Sequence, residues 1–200
     1  RVIDEAIDAV AAKGRCELVS DLAAPVPLFL IADMLGLDPR HFALFRHWSD
    51  TASAPVDALA SDADRRAHAA TLTRLQSELE ALLQQEADRR RSEPQDDLLT
   101  AIVAAEREGR LDWGGRESFE GFAKDDLLSF AQFVLLAGNE TTRNAISRGV
   151  LALAAHPAER ERLRASPALL PLAADEILRW TTPVRVLRRT LTVDAELRGK

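Results

Sequence analysis

A carboxylate and two hydroxyls stand inside one of the most hydrophobic segments of the chain, "LLAGNETTRN" at residues 135–144. Glu140 directly precedes Thr141 and Thr142, whereas most residues before it are apolar or small. A carboxylate beside a hydroxyl provides the two parts of a short proton relay. The segment therefore predicts acid–base chemistry next to an apolar surface, which would be lined by Phe133, Leu136 and Ala137.

The same segment predicts an irregular helix. Gly138, Asn139 and Thr141 are mediocre helix formers, so the turn that contains them is locally weak. A Thr hydroxyl in a helix can also donate to the carbonyl four residues earlier, which bends the helix axis. We expect a widened or kinked turn, at which backbone groups are released to bind another molecule.

A packing role is the alternative for these residues. Gly138 would then allow a second helix to approach closely, and Glu140 would pair with Arg143 on the surface. The residue types alone favour neither explanation, since small residues in helices often serve packing.

Glu176 and Arg179 form a second candidate constellation, in the segment "DEILRW". Residues at this spacing share a face of a helix, so the two side chains can form an ion pair. Most such pairs lie on protein surfaces and contribute little to stability, which is the alternative for this one.

The composition indicates a globular protein in a reducing compartment. The chain has 200 residues, of which 46% are hydrophobic and 29% are charged, a balance that permits a substantial core. The net charge of −6 disfavours free nucleic acid as a partner. No sequence segment has the roughly 20 apolar residues of a membrane helix. A single cysteine excludes an internal disulfide, so we expect a cytoplasmic protein.

Helices must position both constellations, because apolar residues recur at helical spacing over most of the chain. One long helix is expected from about Lys124 to Ala155, where Pro157 ends it. Another long amphipathic helix is indicated by leucines spaced three and four residues apart: Leu72, Leu75, Leu79 and Leu82.

Start and stop signals delimit the shorter elements. Pro25 opens an apolar helix that Gly36 closes, and Asp38 caps the next one. The segment "CELVSD" at 16–21 is predicted to be a short extended piece, and the β-branched run "VRVLRRTLTVDAEL" at 184–197 predicts strands. The fold class is therefore mainly α, with a small β portion at the C-terminal end.

Two arginine clusters and two tryptophans have plainer interpretations. Arg65 and Arg90 lie in basic clusters that we interpret as solvated helix ends. Trp48 and Trp180 are predicted to be packing residues.

Taken in order, these segments resemble the cytochrome P450 family of haem-thiolate monooxygenases. "AGNETT" in a long helix is followed by the Glu176–Arg179 pair and then by "TTPVRVLRRTLTVDAELRG". Earlier segments also look like consecutive parts of soluble bacterial members: "LVSDLAAPVPLFLIADMLGLDPRHFALFRHWSD", "DDLLTAIVAAE" and "VLALAAHPAERERLRASPALLP". The resemblance implies that residues 1–200 form part of a single P450-like helical domain, without its N-terminal sheet and its C-terminal haem-ligand region.

The resemblance assigns roles to the long helix. Glu140 matches the acid and Thr141 the alcohol of the pair that delivers protons during oxygen activation. Ala137 and Gly138 match the small residues that make room above the haem.

The resemblance also assigns roles nearer the C-terminus. Glu176 and Arg179 match a buried ion pair that holds the haem-binding core together. Arg189 matches the position that pairs with a haem propionate, and Arg188 would take that role if the register slipped by one. Substrate contacts are implied for three apolar residues: Phe133, Leu136 and Val184.

The family holds haem iron with a Cys thiolate in a Gly-rich loop near the C-terminus. Cys16 does not match that cysteine, because it lies in "GRCELV" without the flanking Phe, Gly and His pattern. The four histidines lack metal-ligand spacing. The resemblance thus implies haem b (iron protoporphyrin IX) as the cofactor of the complete protein, no metal ligand within this chain, and no activity of the fragment itself.

The function implied is haem-dependent hydroxylation of an apolar substrate, with O2 and with electrons from a ferredoxin-type donor. The motifs look most like those of members that act on sterols, terpenoids or branched lipids. The alternative is a non-catalytic helical module that binds a lipophilic ligand, for which a carboxylate–hydroxyl pair is unnecessary. A hydrolase is excluded, because no nucleophile elbow with Ser, His and Asp is present.

Overall fold

The computed structural model describes residues 2–55, 61–110, 126–186 and 193–196. Within these ranges the chain is a series of helices joined by short connections. In order they are α1 (Val2–Ala11), α2 (Pro25–Met34), α3 (Phe42–Ala52), α4 (Asp62–Ser92), α5 (Leu98–Arg107), α6 (Asp126–Ala155), α7 (Pro157–Ala165) and α8 (Leu170–Thr181).

The chain divides into two compact units, residues 1–147 and residues 148–200. The division falls within α6. None of the helices in the described ranges is both long enough and apolar enough to cross a membrane.

The apolar core of the first unit is centred on α4. Leu75, Leu79 and Leu82 are buried, as their spacing predicts, and Leu72 packs at the edge of the core. Helices α2, α3, α5 and α6 surround this row with further buried side chains, among them Leu28, Ala32, Phe45, Trp48, Leu99, Ile102, Leu127 and Leu135. The long helix α6 is therefore fixed along its first half by apolar burial.

The predicted helix boundaries follow local capping. Gly36 has a φ of +68°, the left-handed conformation that ends α2. Asp38 Oδ1 accepts a hydrogen bond of 2.9 Å from the backbone N–H of Arg40, and a short 3₁₀ turn, Pro39–His41, leads into α3. Asp97 caps α5 by accepting from the backbone N–H of Thr100 at 2.7 Å.

The extended piece predicted for residues 16–21 is wrong. The chain forms a π-helical turn there, Val19–Ala23. Two hydrogen bonds from backbone N–H groups to carboxylates favour this turn. The backbone N–H of Glu17 donates to Asp21 Oδ2 at 2.9 Å, and that of Ser20 donates to Glu17 Oε2 at 2.6 Å. The polar residues of the segment thus satisfy backbone donors at the start of a turn.

The strands predicted at the C-terminal end are also not found. Residues 184–186 and 193–196, the described parts of that segment, contain no strand. A β-branched run forms a strand only when a neighbouring strand satisfies its backbone groups, and the described ranges provide none.

In the second unit, α8 packs closely against the end of α6. A Cβ added to Gly149 would lie 2.7 Å from Cγ2 of Ile177. Arg148 Nη1 donates to the carbonyl oxygen of Thr181 at 3.1 Å, which ties the two helices together near the end of α8.

Arg90 is buried, which contradicts its interpretation as part of a solvated helix end. Its guanidinium donates to Asp97 Oδ2 at 2.9 Å (from Nε) and 2.7 Å (from Nη2), and to the carbonyl oxygen of Gly36 at 2.6 Å. It also pairs with Glu86. The interpretation holds for Arg65, which is exposed.

Gly36 is required by this network as well as by its backbone conformation. A Cβ at Gly36 would lie 2.6 Å from Arg90 Nη2 and would also overlap the carboxylate of Asp97. One side chain therefore joins the end of α2, the end of α4 and the start of α5.

We predict that Arg90→Met destabilises the protein by about 3–5 kcal/mol, because Asp97 is then left buried without its cation. As a control, Arg74→Met removes an exposed pair with Glu78, whose charged atoms are 2.6 Å apart, and should change the stability by about 0–1 kcal/mol. Urea unfolding measures both free energies. Equal effects of the two substitutions would contradict the role of Arg90.

We also predict a pH-dependent contribution from Asp97. Burial alone would raise the pKa of this carboxyl, but hydrogen bonds from Arg90 and Thr100 outweigh burial and lower the pKa below its ordinary value. A lowered folded-state pKa means that the stabilisation is complete above the unfolded value of about 3.9 and is lost as the pH falls through the folded value.

The difference in unfolding free energy between the parent and Asp97→Asn should therefore be constant near neutral pH and shrink below about pH 4. The decline should be weaker in the Arg90→Met background. A difference that grows on acidification would refute this assignment.

Candidate functional site

Helix α6 carries the carboxylate–hydroxyl segment on a well-packed support. Leu127, Ala131 and Leu135 are buried, and Asn139 continues the same face at four-residue spacing. The helix is α-helical without interruption over Asp126–Ala155. The predicted widened turn is therefore wrong, because packing on this face outweighs the weak local propensity.

Gly138 faces α2. A Cβ on Gly138 would lie 2.7 Å from Cδ1 and 2.9 Å from Cγ1 of Ile31, which is closer than van der Waals contact. The glycine thus permits the two helices to approach, as the packing alternative predicted. Its assignment to the space above a haem stays a prediction.

Asn139 anchors α6 to α3 inside the protein. Its Nδ2 donates to Ser49 Oγ at 2.8 Å, and both residues are almost completely buried. Buried polar side chains are normally retained where they are hydrogen-bonded. This anchor was not predicted from the sequence, although an amide on the buried face of an apolar helix is a signal for it.

A second buried polar contact joins three helices. Trp48 Nε1 of α3 donates to Gln76 Oε1 of α4 at 2.8 Å, and Gln76 Nε2 donates to Gln132 Oε1 of α6 at 2.7 Å. Trp48 is a packing residue, as predicted, and also a donor. Together with the Asn139–Ser49 bond, this contact fixes the position of α6 against α3.

Glu140 is held by two neighbours on its own helix. Arg143 forms an ion pair with Oε2 of Glu140, and Asn144 Nδ2 donates to Oε1 at 2.9 Å. Arg143 also donates to Asp50 Oδ1 of α3 at 2.9 Å. The pairing of Glu140 with Arg143 is therefore present, but Arg143 also binds a residue of α3.

Thr141 makes the predicted bond to its own helix. Its hydroxyl donates to the carbonyl oxygen of Ala137 at 2.7 Å. Glu140 and Thr141 are thus neighbours whose side chains bond to different groups. A direct proton transfer between them requires one of these contacts to open.

The carboxylate and the hydroxyl lie on the side of α6 that faces away from its buried residues. Since successive residues are about 100° apart around a helix, Phe133, Ala137, Glu140 and Thr141 fall within one sector, roughly opposite Leu135. We call these four residues the open face of α6. Phe133 is 49% exposed, so an apolar ring lies on this face about two turns from the polar pair.

Leu136 lies at the edge of the open face and packs partly against the core. Of the three residues implied as substrate contacts, two, Phe133 and Leu136, are therefore close together on α6. Val184 belongs to the second unit, where it is exposed. Arg189 and its alternative Arg188 lie outside the described residues.

Glu176 and Arg179 form a bidentate ion pair on α8. Arg179 Nε donates to Oε2 and Nη2 to Oε1 of Glu176, both at 2.6 Å. The hydrogen bond from Arg179 lowers the pKa of Glu176, and the same bond raises the pKa of Arg179. The pair is present as predicted, but both side chains are exposed, so the burial implied by the resemblance is not found in this part of the chain.

A groove of about 210 Å³ adjoins this pair in the second unit, lined by residues that include Leu153, His156, Glu176, Ile177 and Trp180. Trp180 is 62% exposed and packs edge-on against the His156 ring, with 6.2 Å between the two ring centroids. The prediction that Trp180 is a packing residue is therefore wrong, since most of its surface is open to solvent.

The described ranges contain no group of three or more His, Cys, Asp or Glu side chains that could hold a metal ion. Cys16 is exposed and lies before α2.

Comparison with known proteins gives a consistent result. No protein-family model matches the chain. The chain is 34% identical over 98% of its length to the steroid C26-monooxygenase of Mycobacterium tuberculosis, of which it covers 49%. Over 92% of its length it is 37% identical to the methyl-branched lipid omega-hydroxylase of the same species, of which it covers 40%.

Solved structures agree. A myxobacterial cytochrome P450 in complex with myristic acid matches 89% of the chain with a TM-score of 0.70 and 33% identity, and the match covers 40% of that protein. The chain belongs to the cytochrome P450 family. It spans about half the length of the curated relatives that it matches.

Membership of the cytochrome P450 family implies haem b, and the open face of α6 fits one side of such a flat apolar group. Phe133 supplies apolar surface, Ala137 is small, and Thr141 presents a short polar side chain on the same sector. Gly138 does not lie on this sector, because its free side faces Ile31. The predicted contacts of Ala137, Gly138 and Thr141 with haem stay predictions.

We predict that Gly138→Val destabilises the protein by about 1–3 kcal/mol, because the new side chain meets Ile31. Ile31→Ala should relieve the overlap, so the double variant should be more stable than the sum of the single changes implies. Thr142→Val places the same side chain at an exposed position of α6 and serves as the control. A strictly additive urea-unfolding cycle would show that Gly138 and Ile31 do not limit each other.

Proposed function

We propose that the complete protein is a cytoplasmic haem-dependent monooxygenase that hydroxylates an apolar substrate, using O2 and electrons from a small redox partner of the ferredoxin type. The chain contributes the helix that carries the acid–alcohol pair. Because it spans about half of its relatives, activity, substrate and partner are proposals for the whole protein.

One observation carries this proposal. Glu140 and Thr141 lie side by side on the open face of a helix whose opposite face is anchored in the core. A carboxylate and a hydroxyl on an open, partly apolar face are unnecessary for packing, whereas a proton relay needs both groups.

Haem, when bound, supplies the one-electron and dioxygen chemistry that side chains lack. Ala137 and Thr141 would lie against it from the α6 side, and Arg189 would hold a propionate. Glu176 and Arg179, whose bidentate geometry is typical of a structural pair, would help to hold the haem-binding core together.

The residues of this chain would move protons as follows. Glu140 accepts a proton from water and is returned to the carboxylate form when it passes that proton on. Thr141 Oγ1 takes the proton and releases its own toward the substrate side, which requires its bond to the Ala137 carbonyl to open. Positioning the two groups in advance lowers the barrier to transfer.

The substrate class follows from the apolar residues on this route. Phe133 and Leu136 would contact a substrate without hydrogen bonds, and Val184 would add a third apolar contact. We propose a sterol, terpenoid or branched lipid. Relatives named for a steroid and for a methyl-branched lipid support this choice.

The test is the reduced carbon-monoxide difference spectrum of the complete protein. A red-shifted thiolate-type Soret band supports the proposal. Absence of a haem band would overturn it and favour a helical module that binds a lipophilic ligand. Thr141→Ala then tests the relay in the haem-loaded protein.

We predict that Thr141→Ala diverts reducing equivalents from product to peroxide, because the hydroxyl of the relay is lost. The measurement is the ratio of peroxide to hydroxylated product, with a steroid and a methyl-branched fatty acid as probes. The matched control is Thr142→Ala, which removes the neighbouring, exposed hydroxyl and should leave the ratio unchanged. The same ratio in all three proteins would remove Thr141 from the relay.

A further inference from the structure

Helix α8 ends in a backbone conformation that its own sequence disfavours. Thr182 has a φ of 41° and a ψ of 72°, and within the described ranges it is the only residue other than glycine with a positive φ. A β-branched residue is rarely found in this left-handed region, because its side chain crowds the backbone. Pro183 disfavours a further helical residue before it and favours an extended one. Other contacts must therefore hold the left-handed turn.

Three hydrogen bonds hold this turn. The backbone N–H of Thr182 donates to the carbonyl oxygen of Leu178 at 3.0 Å, and the hydroxyl of Thr182 donates to that of Arg179 at 3.1 Å. Both bonds are local to the end of α8. The third bond comes from α6, where Arg148 Nη1 donates to the carbonyl oxygen of Thr181 at 3.1 Å. The peptide group that leads into Thr182 is therefore fixed by a different helix.

Arg148 suits this position by its charge as well as by its reach. The last carbonyl groups of a helix lack partners inside the helix and carry the negative end of its dipole, so a cation binds there favourably. Thr181 is the only buried residue of α8, and Arg148 is partly buried. The bond between them is thus partly shielded from water, which strengthens it.

The turn at Thr182 determines where the chain goes next. Val184 lies two residues later, and its side chain is 46% exposed. In the extended conformation that Pro183 favours, φ of Thr182 would differ by about 160°, which would redirect the residues that follow. The contacts that select the left-handed turn therefore also select the direction of Val184.

We propose that Arg148 is a positioning residue for substrate selectivity: its bond to the Thr181 carbonyl selects the left-handed conformation of Thr182 and thereby the direction of the Val184 side chain. The inference rests on the proposed function, in which Val184 contacts the apolar substrate. It adds that this contact depends on a side chain from another helix.

The experiment combines Arg148→Met, which keeps the apolar stem of the side chain, with Thr182→Asn in the complete, haem-loaded protein. Asn adopts the left-handed conformation more readily than Thr, so it should hold the turn without Arg148. Arg148→Met alone should weaken the binding of testosterone and of myristic acid by about three- to tenfold, since part of the apolar contact of one valine is lost. Thr182→Asn alone and the double variant should bind both probes almost as tightly as the parent. Spectral titration measures all four proteins.

A direct measurement on Val184 accompanies the titrations. The methyl NMR signals of Val184, assigned as those missing from Val184→Ala, should shift in Arg148→Met and return toward their parent positions in the double variant. They are recorded without probe in the reduced, carbon-monoxide-bound protein, which is diamagnetic. A merely structural role of Arg148 would lower stability, but Thr182→Asn would then restore neither the signals nor the affinity.

Two variants serve as controls. Arg148→Lys keeps a cation near the Thr181 carbonyl and should lie closer to the parent than Arg148→Met. Arg164→Met removes an exposed arginine of α7, whose Nη1 lies 3.3 Å from Glu161 Oε1, and should leave the affinities and the methyl signals unchanged. If Arg148→Met does not fold, Arg148→Gln replaces it, with smaller changes in the same direction and the same rescue by Thr182→Asn.

Unchanged Val184 signals in Arg148→Met, or shifted signals that Thr182→Asn does not restore, would overturn the inference. A parent protein without a thiolate-haem spectrum would instead overturn the proposed function. The methyl signals would still decide in that protein whether Arg148 directs Val184.

Discussion

The first unit depends on the burial of one guanidinium. Arg90 binds the carbonyl that follows α2 and the carboxylate that caps α5, so the end of α2, the end of α4 and the start of α5 meet at a single side chain. A buried charge is tolerated only when its donors are satisfied, which leaves these segments little freedom to shift. Helix α3 follows Gly36 in the chain, and α3 is the helix that holds α6 through Ser49 and Asp50.

The two sides of helix α6 carry different kinds of residue: packing residues on one side and the residues of the proposed proton relay on the other. Gly138 and Asn139 contact α2 and α3, whereas Glu140 and Thr141, the next two residues, point toward the open face. These four consecutive residues thus lie on two different sides of the helix, because the helix turns about 100° at each step. The packing explanation, which the residue types left open, applies to Gly138 and Asn139, whereas the proposed proton relay concerns Glu140 and Thr141.

Short sequence patterns correctly predicted the helix faces and helix ends that depend only on neighbouring residues. The leucine spacing of α4, the glycine that ends α2 and the Asp38 cap all fix their elements within a few residues, so the sequence sufficed for them. The burial of Arg90 and the Asn139–Ser49 bond join residues far apart in the chain, and no short pattern encodes such partners. The described parts of the C-terminal segment, residues 184–186 and 193–196, contain no predicted strand for the same reason, because a strand needs a neighbour that composition does not reveal.

The half-exposed ring of Phe133 has an evolutionary consequence. Its substitution removes little buried surface, while Leu135 and Asn139 keep the helix in place from the other side. Substitutions of Phe133 are therefore close to neutral for folding, and a lineage can explore new side chains at this position without first acquiring compensating changes. If this face binds the proposed substrate, selectivity can change at Phe133 while the helical scaffold stays the same.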